Sequence, residues 1–427
     1  MHSPIPQLTA CDAITCLRCL VCGAEYAPEE VRYVCPHHGS DGVLDVVYDY
    51  TAIAARADRD ALSARAELDM WRYLPLLPVA DPSLRPPLAV GWTPIARAER
   101  LGRRLSLSHL WVKDEGRNPT ASLKDRASAL AVVKAREAGF STITTASSGN
   151  AAAALAGMAA SVGLPAVIFV PATAPEAKIA QLLVYGATVV LVEGTYDQAF
   201  DLCIEAADRQ GWYCRNTAYN PYMTEGKKTA AYEIAEQLGW EVPDCIFVAV
   251  GDGCIIGGLH KGFRDLHALG WIDRVPRLMG VQAEGSAVLH HAWRRGTDEI
   301  TPIVPRTIAD SISVGVPRDR LKALRAVRET GGAFVVVSDE EILAAMRELA
   351  RLTGVFAEPA AAAAWAGVRR ALADGLVHRD ERVLVLVTGN GLKDIPAAMR
   401  AVEGDGRIVR LASSSEALEE WLAQAEG

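Results

Sequence analysis

Residues 116–128 read GRNPTASLKDRAS. The proline turn at Asn118–Pro119 hands over to the helical pattern DRASALAVVKAREAG, so Lys124 falls in the first turn of a helix. An ammonium there faces the positive end of the helix dipole, which is mildly unfavourable. A lysine that is covalently engaged, or neutral for part of its working cycle, escapes that penalty. The same positive field lowers the lysine pKa and readies the amine to attack an aldehyde. The plain alternative is a surface lysine paired with Asp125 or Glu115.

Outward from this stretch, short apolar runs alternate with helical patterns. LWVK, TITTA, AVIFV, TVVLV, CIFVAV, RLMGVQA, AFVVV and RVLVLVTG read as strands, and TAAYEIAEQLG and DEEILAAMRELARLTG as helices between them. Strands apolar on both faces that alternate with helices predict an α/β fold with helix-covered parallel sheets. Ligands of such sheets sit beyond the carboxyl ends of the strands. Four loops in that position stand out: GRNPTASLKDR, ASSGNA, GDGCIIGG and TGNGLKD.

In GDGCI, the backbone N–H groups of Gly251, Asp252, Gly253, Cys254 and Ile255 can converge at a helix start as a phosphate cradle. The Asp252 carboxylate must then turn away from the anion. In ASSGN, the Ser147 and Ser148 hydroxyls suit a carboxylate, and the Asn150 amide can donate to a phenolate-like oxygen; a simple helix cap is the alternative reading. Thr388, at the end of RVLVLV, carries a hydroxyl that can meet a ring nitrogen. An activated lysine, a phosphate cradle, an amide donor and a ring-nitrogen partner together match the needs of pyridoxal 5'-phosphate.

The 427 residues are 50% hydrophobic and 22% charged, with a net charge of -8. That balance leaves no field to attract nucleic acid or an acidic membrane, so a small-molecule substrate is expected, with no nucleic-acid and no membrane partner. The N-terminus has neither a basic leader nor a continuous apolar run, which points to a cytoplasmic protein. Ala151 to Ala172 is uncharged over a bilayer-spanning length, but GLP divides it into an alanine-rich helix and a strand. Cys19-x2-Cys22 and Cys35-x2-His38 have the paired-knuckle form of a zinc ribbon, a Cys3His set for structural Zn2+. A metal-free ribbon, or one using Cys16 or His37, is the competing reading.

NPTASLKDRAS, SSGN, VAVGDG, EGKKTAAYEI, EPAAAAAWAG and TGNGLKD, in this order, resemble the threonine synthase family of fold-type II pyridoxal phosphate enzymes, from about Cys19 to about Ala401. The resemblance implies a tryptophan synthase β-like fold of two open α/β domains in a homodimer, with a zinc-ribbon-like appendage that some members share. It implies that Lys124 is the cofactor lysine, that Asn150 bonds the ring hydroxyl, that Gly251 through Ile255 hold the cofactor phosphate and that Thr388 meets the pyridine nitrogen. It also implies an amino-acid substrate, O-phosphohomoserine, converted with water to threonine and phosphate. Ser147, Ser148 and Lys227 are the substrate-binding candidates.

Departures from the family pattern, at Met223, in the GDGCI loop and at Ala121 and Ala151, bear on that reading. Met223 in NPYMTEG stands where family members often place an arginine for the substrate's phosphate, which leaves Lys227, Lys228, Arg117 and Arg126 as possible replacements. Ala121 stands where glycine is common. A serine or threonine dehydratase, or a cysteate-synthase-like enzyme, is the alternative on the same scaffold, and a zinc-bearing relic without catalysis is a third reading. The expected division is an appendage over 1–50, a large cofactor domain over 51–129 and 226–427, and a small domain over 130–225.

Overall fold

A computed structural model describes residues 10–174, 176–404 and 408–425; the part of the leader reading that rests on residues 1–9 lies outside them. The strands are β1 (Ile14–Cys19), β2 (Glu25–Tyr26), β3 (Leu44–Tyr48), β4 (Ile95–Arg97), β5 (His109–Asp114), β6 (Ile143–Ala146), β7 (Ala166–Pro171), β8 (Thr188–Val192), β9 (Tyr213–Cys214), β10 (Cys245–Ala249), β11 (Arg277–Ala283), β12 (Phe334–Val337) and β13 (Arg382–Val387). All eight apolar runs picked out above are strands. Among the strands not anticipated, β2, β4 and β9 are two or three residues long, too short to show a pattern, whereas β1 spans six.

Six strands form one sheet in the order β12-β11-β10-β13-β5-β4, parallel except for β4 at the edge. A second, wholly parallel sheet has the order β8-β7-β6-β9. Parallel strands need both faces covered, which is why their residues are almost all apolar. The central strand β10 is buried along its whole length. The alanine-rich stretch after Glu358 is the helix Pro359–Ala373, with Ala360 to Ala364 at most 2% exposed. Small side chains let this helix lie close on the large sheet.

The uncharged segment 151–172 divides as expected, into the helix Asn150–Ala160 and strand β7, and no helix among the described residues is long and apolar enough to cross a membrane. Near the N-terminus, β2-β1-β3 form an antiparallel ribbon. Between residues 31 and 50, Val34 and Val43 form an isolated bridge, and β3 pairs with the earlier β1. Two short helices follow, Tyr50–Ala54 and Arg59–Ser63, each started by an aspartate, Asp49 or Asp58, that accepts backbone N–H bonds.

A buried charge network ties the Lys124 helix, Lys124–Glu137, to the large sheet. Arg126 donates to both Glu115 oxygens (2.7 and 2.8 Å) and to both Glu233 oxygens (2.6 and 2.7 Å), and Lys113 adds a contact to Glu233 at 3.0 Å. All four side chains are fully buried, and two acids balance two bases. Bidentate pairing of this kind fixes orientation, because the guanidinium fork accepts few other geometries. On its other side the helix touches Gly226, where a Cβ would lie 2.4 Å from the Arg126 carbonyl oxygen.

Candidate active site

Three loops meet beyond the carboxyl ends of β5 and β13 and share backbone hydrogen bonds. The Leu123 N–H donates to the Thr388 carbonyl (2.9 Å), the Asn390 N–H to the Ala121 carbonyl (3.1 Å) and the Glu358 N–H to the Gly389 carbonyl (3.1 Å). Lys124, Glu358 and Thr388 are therefore set by one backbone fabric. Ala121 has φ +66°, in the left-handed region that costs a side-chain-bearing residue about 1–2 kcal/mol. A glycine there would be relaxed, which is the physical reason the position favours one.

These loops face the helix start at Asn150 and the Gly251–Ile255 turn across a cavity of about 650 Å3. Lys124, Ser147, Ser148, Asn150 and Thr388 are on its wall, together with Gly251 through Ile255. Burial pushes the Lys124 amine below its ordinary pKa, and the Arg215 guanidinium adds to this, while Cys254, Glu358 and Asp252 oppose it. Lys124 is the first residue of its helix, as the proline turn implied.

The cradle is built by Gly253, which starts the helix Cys254–Ala268 from φ +99°. A Cβ there would strike Ala323 at 2.7 Å and the Asp319 carbonyl at 2.9 Å, so only glycine fits. Asp252 is held by its neighbours: its carboxylate accepts the Arg318 N–H (3.2 Å) and its carbonyl accepts the Asp319 N–H (2.9 Å). A glycine turn at a helix N-terminus, an amine of lowered pKa and buried cations nearby suit an aldehyde that carries a phosphate, and the cavity lies within the roughly 300–1,000 Å3 usual for cofactor sites.

Asn150 donates to both oxygens of Glu358, at 2.8 and 3.0 Å, and sits 3.4 Å from the Ser311 hydroxyl. Burial raises the Glu358 carboxyl pKa, and Asn150, Lys393 and Lys124 counter this. Glu358 was not picked out from the sequence. Its signal was its place in EPAAAAAWAG, immediately before a proline that starts a helix.

Lys227 is not on the wall of this cavity. Its ammonium is buried and donates to the Met223 carbonyl at 3.3 Å, and burial, with Arg215 and Lys124 nearby, pushes its pKa down to about 8. Arg126 is consumed by its two glutamates, Lys228 bonds Glu225 (2.6 Å) and Asp265 (2.8 Å), and Arg117 is exposed away from the cavity. Met223 is 1% exposed and packs in an apolar cluster. Arg215, on the cavity wall, was missed: nothing in the local run CRNT marks it.

In the ribbon, the donor atoms of Cys19, Cys22, Cys35 and His38 all lie within 4.8 Å of one another. Tetrahedral zinc with ligands about 2.0–2.3 Å away places its donors about 3.3–3.8 Å apart, so this set is close to ligand geometry.

Comparison with known proteins gives the family. Residues 87–389 match the family described as pyridoxal-phosphate dependent enzyme. The threonine synthase of Methanocaldococcus jannaschii is 40% identical over 388 residues, 90% of this chain and 95% of that protein. The threonine synthase of Methanosarcina acetivorans is 43% identical over 382 residues, 88% and 92% of the two chains. Among solved structures, a threonine deaminase isoform from Solanum lycopersicum superposes with TM-score 0.63 at 24% identity, covering 74% of this chain and 88% of that one. Maize serine racemase does so with TM-score 0.60 at 21% identity, covering 78% and 94%; both share the fold. On family match and extended identity alike, the chain belongs to the pyridoxal-phosphate dependent enzymes and, among them, to the threonine synthases.

Proposed function

We propose that the chain converts O-phosphohomoserine and water to threonine and phosphate with pyridoxal 5'-phosphate. The observation that carries this reading is the convergence of Lys124, Asn150, Thr388 and the Gly251–Ile255 cradle on one cavity, in a chain of threonine synthase sequence. In this reading Lys124 bonds the cofactor aldehyde, Asn150 donates to the ring hydroxyl, Thr388 meets the pyridine nitrogen, and the cradle N–H groups hold the phosphate. The cofactor, when bound, supplies an electron sink for charge developing at the substrate's Cα.

The protein's own contribution is binding and proton movement. Lys124 Nζ, favoured in its neutral form by burial and by Arg215, takes and returns protons at Cα and Cβ. Phosphate leaves from Cγ, and water adds at Cβ. Ser147, Ser148 and the N-terminus of the helix Asn150–Ala160 bind the substrate carboxylate.

We read Cys19, Cys22, Cys35 and His38 as a structural Zn2+ site, with Cys19 and Cys35 buried beneath the ribbon. The division into 1–50, 51–129 with 226–427, and 130–225 follows the three sheets in outline. The homodimer rests on the family resemblance alone. The deciding assay is threonine and phosphate formation from O-phosphohomoserine by the holoenzyme. A protein that instead forms 2-oxobutyrate from threonine, and releases no phosphate, is a dehydratase.

A further inference from the structure

Arg215 is fully buried, and its Nη2 has no hydrogen-bond partner among the described residues. The other guanidinium nitrogens make only long contacts, Nε to the Ser128 hydroxyl (3.3 Å) and Nη1 to the Thr217 hydroxyl (3.5 Å). Among the described residues none offers it a carboxylate at ion-pair distance, yet the side chain is on the wall of the active-site cavity. A buried cation without an anion costs several kcal/mol, roughly what a bound anion would recover.

The other cations that could replace the missing arginine at position 223 are engaged or elsewhere: Arg126 and Lys228 are paired, Lys227 is off the wall and Arg117 is exposed. Arg215 and Thr217 follow β9, and Ser147 follows the adjacent parallel strand β6. Neighbouring strands are about 4.8 Å apart, a separation that a four-carbon amino acid with a terminal phosphate can bridge between its two anionic ends. The cofactor phosphate, by contrast, has its own cradle on the six-stranded sheet after β10.

We infer that Arg215, assisted by Thr217, binds the phosphate of the substrate and takes the place of the arginine that Met223 displaces. The assignment rests on the proposed threonine synthase activity and deepens it. The guanidinium fork grips two phosphate oxygens, and it holds the leaving group as charge builds on it when the Cγ–O bond breaks.

The test compares the wild-type, Arg215→Gln and Arg215→Lys holoenzymes. Three quantities are measured: kcat and KM for O-phosphohomoserine, inhibition by inorganic phosphate, and the absorbance change on binding homoserine, which lacks the phosphate. Arg215→Gln should raise KM about a hundredfold and remove inhibition by inorganic phosphate, with a much smaller effect on homoserine and cofactor binding, which the lost charge reaches only through Lys124. Arg215→Lys keeps the buried charge without the fork, and should recover about tenfold of that loss.

An unchanged KM, an equal loss for homoserine, or a loss of cofactor binding overturns the assignment. If Arg215→Gln does not fold, Arg215→Lys and wild type decide: wild type must be inhibited competitively by inorganic phosphate, and Arg215→Lys must be inhibited more weakly. A wild-type enzyme that releases no phosphate from O-phosphohomoserine refutes the proposed function instead. Arg215 is then judged by inorganic phosphate alone, which must perturb the wild-type spectrum and leave that of Arg215→Gln unmoved.

Discussion

Asn150 and Glu358, 208 positions apart in the chain, are joined by two hydrogen bonds of 2.8 and 3.0 Å from one amide nitrogen to both carboxylate oxygens. Asn150 starts a helix packed against the four-stranded sheet, and Glu358 precedes the long helix under the six-stranded one. The pair therefore links elements of the two sheets at the wall of the cavity. It also brings a carboxylate into the field of Lys124, where it favours the ammonium.

Glu358→Gln removes that negative charge, so the Lys124 pKa should fall further. The acidic limb of the kcat–pH profile should move to lower pH, and kcat should drop about tenfold as Asn150 loses a charge-assisted partner. A limb that stays in place would assign Glu358 a purely structural role.

Lys124→Ala should fold, because Lys124 makes no ion pair among the described residues and the helix behind it is anchored by Arg126. The variant should lack the yellow absorbance of the wild-type holoenzyme and lose turnover by about 10³-fold or more. Borohydride treatment of wild type followed by peptide mapping should label position 124, and label elsewhere would refute the assignment.

Ala121→Gly should stabilise the protein by about 1 kcal/mol, as relief of left-handed strain outweighs the entropy that glycine adds to the unfolded chain. Thermal or urea unfolding measures this. A loss of stability would mean that the Ala121 methyl makes packing contacts worth more than the strain.

His260, 5% exposed, has its pKa pushed down to about 4 by burial, with Arg264, Arg325 and Lys261 adding to the effect and Asp45 opposing it; Glu329 lies 3.3 Å away. The unfolded chain binds the proton below about pH 6.5 and the folded one only below about pH 4, so stability contributed by this group is lost as pH falls through that window. The loss amounts to about 3 kcal/mol at its limit. His260→Gln should flatten the stability curve between pH 6.5 and 4. An equally steep curve in that variant would place the acid sensitivity in other groups.

Zinc should be found at one ion per chain and should fall to background in Cys19→Ala or Cys35→Ala, whose side chains are buried in the ribbon. Chelation should lower the melting temperature and expose the thiols to alkylation. Elemental analysis of the purified protein checks the first point directly.

Residues close together in the chain were enough to reveal much of this protein. Pro119 before a helical pattern was sufficient to place Lys124 at a helix start, and apolar runs on both sides of each strand were sufficient for parallel, helix-covered sheets. These features depend on local backbone preferences and on burial of whole segments, both of which leave a pattern over a few residues. Paired and unpaired charges leave no such pattern. Arg126 and Arg215 look alike in sequence, yet one meets Glu115 and Glu233 while the other lines the cavity with its Nη2 unbonded among the described residues, because the acids that decide the difference arrive from distant elements. Asn150 and Glu358 likewise meet only once both sheets have formed. Electrostatic partnership in a buried site is set by three-dimensional proximity, and for those groups only the tertiary structure could decide.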